Sequence, residues 1–73
     1  MNKTFTAPIH REGDLFVALC PEFDIASQGD TIDQARDNLR EAVELFLETA
    51  SPAETADRLH GEVYITPLEV KVR

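Results

Sequence analysis

The chain has one cysteine, Cys20, among its 73 residues. A single thiol cannot form an internal disulfide, and it cannot build a cysteine-based zinc site. Residues 1–12 lack the apolar segment of a signal peptide, and no apolar run approaches the length of a membrane span. We therefore expect a cytoplasmic protein, where thiols stay reduced, with no contact to a membrane.

Basic residues are scarce, at 7 Lys and Arg against 14 Asp and Glu, which gives a formal charge of −7. This balance disfavours direct nucleic-acid binding, because phosphates need cations. It favours a basic partner, which the field of the protein would steer toward it. Solubility alone also explains an acidic surface, and charge by itself favours that simpler interpretation.

The sequence also lacks the motifs that carry catalysis. It contains no glycine-rich phosphate loop, and its two histidines, His10 and His60, are far apart with no HxH or HExxH spacing. The carboxylates do not converge at fixed spacing, so a solvated surface is favoured over a metal site. No base is placed beside Cys20, which we expect to pack as a small apolar side chain. We predict no catalytic residue, no metal, no cofactor and no enzyme.

The longest signal in the chain is an amphipathic helix over residues 32–50. Its apolar positions recur at i, i+3, i+4 and i+7, as in a helix that packs on one face. Thr31 and Gln34 form a capping-box pattern, Gly29 provides a turn before the cap, and Pro52 ends the helix. The apolar face comprises Ile32, Ala35, Leu39, Ala42, Val43, Phe46, Leu47 and Ala50.

Strand patterns lie on both sides of this helix. Alternation or short apolar runs predict strands over residues 3–11, 15–20, 23–28 and 62–73, and a capped short helix over residues 51–59. The first three strands should form an antiparallel meander, and the long helix should return the chain so that the fourth lies beside the first. The prediction is a single α+β domain, residues 1–73, with β-β-β-α-β order and sheet order 3-2-1-4.

A domain of this length buries only about 60% of its unfolded surface, so we expect self-association as a dimer or tetramer. The second strand is apolar on both faces, which indicates a helix on one side and another chain on the other. Leu45 is either a boundary core residue or a contact with another chain. After Pro67 the tail either bends to keep its apolar side chains on one face or packs on a second chain. The predicted partner or oligomer interface comprises Phe16, Ala18, Glu22, Asp24, Leu45, Leu68, Val70 and Val72.

A family resemblance rests on three pieces in order. Pro21-Glu22 follows an apolar strand, residues 27–31 read SQGDT, and the helix then carries a set of matching positions. In this combination the chain resembles the HicB-like antitoxin family over about residues 3–72. It differs at residues 24–26, where many members have a Gly-Cys pair, and we expect it to lack the C-terminal DNA-binding module of full-length antitoxins. The matching helix positions are Ala35, Asn38, Leu39, Glu41 and Ala42.

The resemblance implies a partly RNase H-like fold that oligomerises and blocks a small basic HicA-type toxin that cleaves mRNA. It does not carry over self-repression of transcription, which depends on the DNA-binding module of the longer relatives. Two alternatives remain. One is a homo-oligomeric structural or regulatory protein with no toxin partner. The other is a metal-dependent nuclease, which the carboxylate pattern disfavours.

Overall fold

A computed structural model describes residues 3–59 and 61–73 of the chain, and it shows an α+β fold. His60 lies outside the described residues. The sheet has three strands, β1 (Ile9–Glu12), β2 (Leu15–Cys20) and β3 (Ile25–Gly29). Two helices follow, α1 (Ile32–Thr49) and α2 (Pro52–Arg58).

The sheet is an antiparallel meander with β2 in the centre. Ile9 lies opposite Ala18 in the first hairpin, and Cys20 lies opposite Ile25 in the second. The predicted bounds of β2 are confirmed. Gly13, at φ 62°, forms the turn between β1 and β2, a left-handed conformation that glycine adopts without steric cost.

Helix α1 begins where the sequence predicted. The Thr31 side chain accepts the N–H of Gln34 at 3.0 Å, and the Gln34 side chain accepts the N–H of Asp30 at 2.6 Å. The reciprocal bond of the capping box therefore reaches one residue further back than expected. Asn38 donates to the carbonyl of Gln28 at 2.8 Å, which joins α1 to β3 directly.

The buried stripe of α1 is narrower than the sequence indicated. Ile32 is 53% exposed and Leu47 is 41% exposed, so neither belongs to the core. A single helix touches a small sheet only along its line of closest approach, and side chains at the margins of the apolar face remain at the surface. Among the described residues, the buried apolar side chains are Ala18, Cys20, Phe23, Ala35, Leu39 and Val43.

Three phenylalanines extend this core toward one end of the sheet. The Phe23 ring lies 5.1 Å from Phe5 in an edge-to-face arrangement and 5.6 Å from Phe46, measured between centroids. Such aromatic pairs stabilise a core beyond the area they bury. Phe23 itself lies in the turn before β3 and not in the strand, so the prediction that the third strand starts at residue 23 is wrong. The turn is tight because Phe23 N–H bonds to Cys20 and Asp24 adopts φ 57°.

Helix α2 is attached to that turn by one side chain. Arg58 donates to the carbonyl oxygens of Phe23 and Asp24, each at 3.1 Å, and its guanidinium lies 5.2 Å from the centre of the Phe46 ring. The start of α2 follows the sequence, with Ser51 accepting the N–H of Glu54 at 3.1 Å and Pro52 in the first turn.

Two predicted strands are shorter or missing. Residues 3–8 are not assigned to β1, although Pro8 still accepts the N–H of Leu19 at 3.0 Å. Residues 61–73 form no strand, so the sheet order is β1-β2-β3 and the predicted order 3-2-1-4 is wrong for its fourth strand. The alternation in this segment changes face at Pro67, so a straight strand there buries only one of its two apolar sets.

Gly29 has a role that differs from the turn predicted for it. A Cβ at this position would lie 2.6 Å from the backbone N of Ala35 and 2.8 Å from the backbone C of Gln34. The residue is buried, and glycine is required because the end of β3 passes directly against the first turn of α1.

We predict that Gly29→Ala lowers the free energy of unfolding by about 1–3 kcal/mol, because the methyl group forces β3 and α1 apart. Chemical denaturation followed by circular dichroism measures this. Gly61→Ala is the control: its Cβ meets nothing within 4 Å, and only backbone strain at φ 76° opposes it. Equal stability of Gly29→Ala and the parent would contradict the close packing.

Candidate interaction surfaces

The outer face of α1 carries a row of acidic side chains in its second half. Glu41, Glu44 and Glu48 line a shallow groove together with Ala42 and Leu45. Leu45 is 61% exposed and therefore does not belong to the core. The row follows helical geometry, since positions three and four residues apart lie one above the other.

The first half of α1 is electrically different. Arg36 pairs with Asp33 at 3.0 Å, and Arg40 pairs with Asp37 at 3.2 Å. No basic residue occupies the last turn of α1, where the helix dipole favours cations. The negative charge of the helix is therefore concentrated around the groove.

A second surface is the sheet face opposite α1. Leu15, Val17 and Leu19 of β2 project to this side and are only half-buried. The sequence had assigned Phe16 and Ala18 to an outward interface, and this assignment is corrected. Ala18 is 0% exposed, because it lies between Ile9 of β1 and Ser27 of β3 on the sheet face that contacts α1. Phe16 lies on the same face and packs against the same core.

The C-terminal tail, residues 62–73, is a third exposed surface. Leu68 is 85% exposed, Val70 65% and Val72 88%, so all three predicted interface residues lie at the surface of the single chain. At the beginning of the tail, residues 62–64 line a groove with residues 3–5.

Glu22 was predicted at an interface, but it is buried and engaged inside the chain. Its carboxylate accepts the Thr6 N–H at 2.9 Å and the Thr6 hydroxyl at 2.8 Å. The Cys20 thiol donates to it at 3.6 Å. Asp24, the neighbouring predicted residue, is exposed. The role of Glu22 is thus to hold residues 3–8 against the turn between β2 and β3.

These contacts shift two ionisation equilibria. Burial acts to raise the pKa of Glu22, but the hydrogen bonds from Thr6 outweigh it and hold the pKa of this carboxyl below its ordinary value. Burial raises the pKa of the Cys20 thiol, so it stays protonated at neutral pH and can donate to Glu22. A protonated, buried thiol is a poor nucleophile, in line with the small apolar role expected for Cys20.

The polar side chains do not assemble into a metal site among the described residues. In the part of the chain that the structure describes, no three His, Cys, Asp or Glu side chains come together as ligands. His10 is exposed, with its Nε2 3.4 Å from a Glu12 carboxylate oxygen. No helix within residues 3–59 or 61–73 combines the length and apolar character needed to cross a bilayer.

Arg58 is the functional contact that sequence analysis missed. It places α2 and therefore sets where the tail leaves the domain. The single basic residue in the last turn of α2 was the available signal, but its acceptors lie 34 and 35 residues away in the chain.

We predict that Glu22 is a source of acid sensitivity. Its pKa is lower in the folded chain than in the unfolded chain, so its stabilisation is complete above the ordinary value of 4.5 and is lost as pH falls through the folded pKa. The melting temperature of the parent should therefore drop more steeply between about pH 5 and pH 3 than that of Glu22→Gln. The exposed Glu44→Gln variant is the control and should keep the steep slope. Parallel curves for the parent and Glu22→Gln would contradict the assignment.

Comparison of the chain with family models, with curated proteins and with solved structures found no match.

Proposed function

We propose that this chain is an antitoxin-like interaction protein that binds and neutralises a small basic toxin of the HicA type. The observation that carries the proposal is the groove on α1, in which Glu41, Glu44 and Glu48 form an acidic row beside the exposed Leu45. The resemblance to HicB-like antitoxins, with the partly RNase H-like fold that it implies, supplies the class of partner. The protein acts by masking the toxin and performs no chemistry of its own.

The energetics of the groove support a cationic partner. Like charges three or four residues apart destabilise a helix by a few tenths of a kcal/mol each, and negative charge near a helix C-terminus opposes the dipole. A Lys- or Arg-rich surface would relieve both effects on binding. Leu45 would add an apolar contact beside the charged row, so that a partner could bury apolar area next to its ion pairs.

Electrostatic complementarity also serves the task of an antitoxin. A charge of −7 on a small protein accelerates the encounter with a cationic partner and disfavours nucleic acid as a competitor. Fast capture matters for a protein that must intercept an active ribonuclease before it cleaves RNA. The same property predicts that association weakens as ionic strength rises.

A second candidate is a homo-oligomeric structural or regulatory protein without a toxin. The observation that favours it is the half-buried row of Leu15, Val17 and Leu19 on the sheet face away from α1, together with the exposed tail. These apolar surfaces do not include the acidic groove. One molecule can therefore self-associate through its apolar surfaces and bind a partner through the groove. The two candidate functions differ only in whether the groove has a partner.

We predict that Glu44→Lys/Glu48→Lys weakens binding to a small basic toxin of the HicA type by at least about tenfold, or about 1.4 kcal/mol. Isothermal titration calorimetry measures the affinity, and rescue of growth during toxin expression provides the cellular readout. The control is Asp14→Lys/Asp57→Lys, which makes the same charge change at two exposed positions outside α1.

The control variant should bind within about threefold of the parent, with the residual change due to long-range charge alone. Equal losses for the two variants would show that net charge, and not the groove, attracts the toxin. The absence of an adjacent gene for a small basic protein, or of binding to its product, would favour the second candidate.

A further inference from the structure

The chain exposes more surface than a folded monomer of its size. Its accessible surface is 6033 Å² for a mass of 8.2 kDa. The size relation for monomeric proteins gives about 4,500 Å², so the surplus is about 1,500 Å². The radius of gyration, 14.2 Å, is also larger than the roughly 11 Å of a compact domain with this number of residues. A standard protein interface buries about 800 Å² per partner, which is well within this surplus.

Much of the surplus lies on the tail, residues 62–73. Besides Leu68, Val70 and Val72, this segment exposes Ile65 at 65% and Tyr64 at 79%. From Leu68 onward the apolar side chains alternate strictly with Glu69 and Lys71, which is the pattern of a strand with one buried face. Every residue of this run has a backbone N–H. Residues 68–72 therefore have the sequence pattern of a strand but pair with no strand among the described residues.

The outer edge of β1 offers the matching backbone groups. Pro8 accepts the N–H of Leu19, and alternate residues of an antiparallel strand point their N–H and C=O groups to opposite sides. Pro8, His10 and Glu12 therefore face β2. The backbone groups of Ile9 and Arg11 face outward, where no described residue bonds to them. The backbone N–H that Pro8 lacks would therefore face β2. Its absence does not interrupt the row of N–H and C=O groups along the outer edge of β1.

The side chains along this edge are also incompletely covered. Helix α1 packs mainly on β3 and β2 and hardly on β1. As a result Phe5 and Ile9, which contact the core, are only half-buried. An added strand beside β1 with its apolar side chains on the α1 side would cover both. Leu68, Val70 and Val72 form such a row.

We propose that two copies of this chain exchange tails, so that residues 68–72 of each copy add a fourth strand to the outer edge of β1 in the other. The tail does not pair with β1 of its own chain, because the described sheet contains only β1, β2 and β3 and residues 64–73 are exposed. A second copy supplies both a free tail and a free edge, so the contact closes with two-fold symmetry and leaves neither unused.

The distribution of charge along the chain is consistent with the tail of a second copy at the β1 edge. The segment 61–73 contains two acidic and two basic residues and is neutral, while the remainder of the chain carries the whole charge of −7. The tail can therefore approach a second acidic copy without net repulsion. The exchange uses the β1 edge and leaves the acidic groove of α1 open, so it stands whether or not that groove has a partner.

Light scattering coupled to size exclusion tests the assembly, with the full chain at about 100 µM, well above the dissociation constants of standard interfaces. We expect the parent to have twice the chain mass of 8.2 kDa. Leu68→Asp/Val70→Asp should run at the mass of one chain, and its circular dichroism spectrum should stay folded because both positions are exposed. Glu69→Asp/Lys71→Asp lowers the net charge by the same amount on the alternate face and should remain dimeric. A parent of single-chain mass, or a dimer that survives Leu68→Asp/Val70→Asp, would overturn the proposal.

A mixing experiment tests the tail-to-edge pairing itself. Arg11→Pro removes an outward N–H from β1 and should also yield monomers. Mixing it with Leu68→Asp/Val70→Asp should restore dimers, because the intact tail of one variant can pair with the intact edge of the other. Tail-to-tail pairing cannot give this recovery, so a mixture that stays monomeric while each variant remains folded would overturn the exchange.

Discussion

The fold depends on the contact between α1 and the two strands beneath it. Three of the six buried apolar residues are small, Ala18 and Cys20 on β2 and Ala35 on α1, and they let the backbones approach closely. At the start of the helix, Gly29 allows β3 and α1 to approach so closely that a Cβ would lie 2.6 Å from the backbone N of Ala35. Because a single helix covers only part of a three-stranded sheet, the opposite face and the β1 edge are left without cover.

A buried carboxylate determines how the rest of the chain is arranged around that contact. Glu22 accepts hydrogen bonds from Thr6, which is 16 residues away in the sequence, and so fixes residues 3–8 beside the turn between β2 and β3. Arg58 of α2 donates to two carbonyl oxygens of the same turn. These polar contacts bring the N-terminal segment, the turn and α2 together where apolar area is limited.

The surfaces left over fall into two chemically distinct groups. The groove on α1 combines negative charge with one exposed leucine, while the sheet face, the β1 edge and the tail are mainly apolar or neutral. Apolar surface drives association roughly in proportion to the area removed from water, and charge contributes mainly to rate and selectivity. The proposed self-assembly and the proposed binding of a basic partner therefore use different surfaces.

The sequence by itself determined the elements whose signals are local. The cap at Thr31, the cap at Ser51, the bounds of β2 and the acidic row on α1 all follow from residues close together in the chain. The α+β class and the antiparallel meander follow from the order of those elements. The prediction of self-association and the resemblance to HicB-like antitoxins also came from sequence and remain predictions.

Only the tertiary structure decided which face of β2 is buried, because alternation marks two faces without naming the inner one. It placed Phe16 and Ala18 inside and Leu15, Val17 and Leu19 outside. It also turned Glu22 from a predicted contact into an internal one, since its partner Thr6 is distant in sequence. The fate of the tail was decided in the same way: a strand pattern states what a segment can bury, but pairing requires an edge within reach, and that depends on the whole fold.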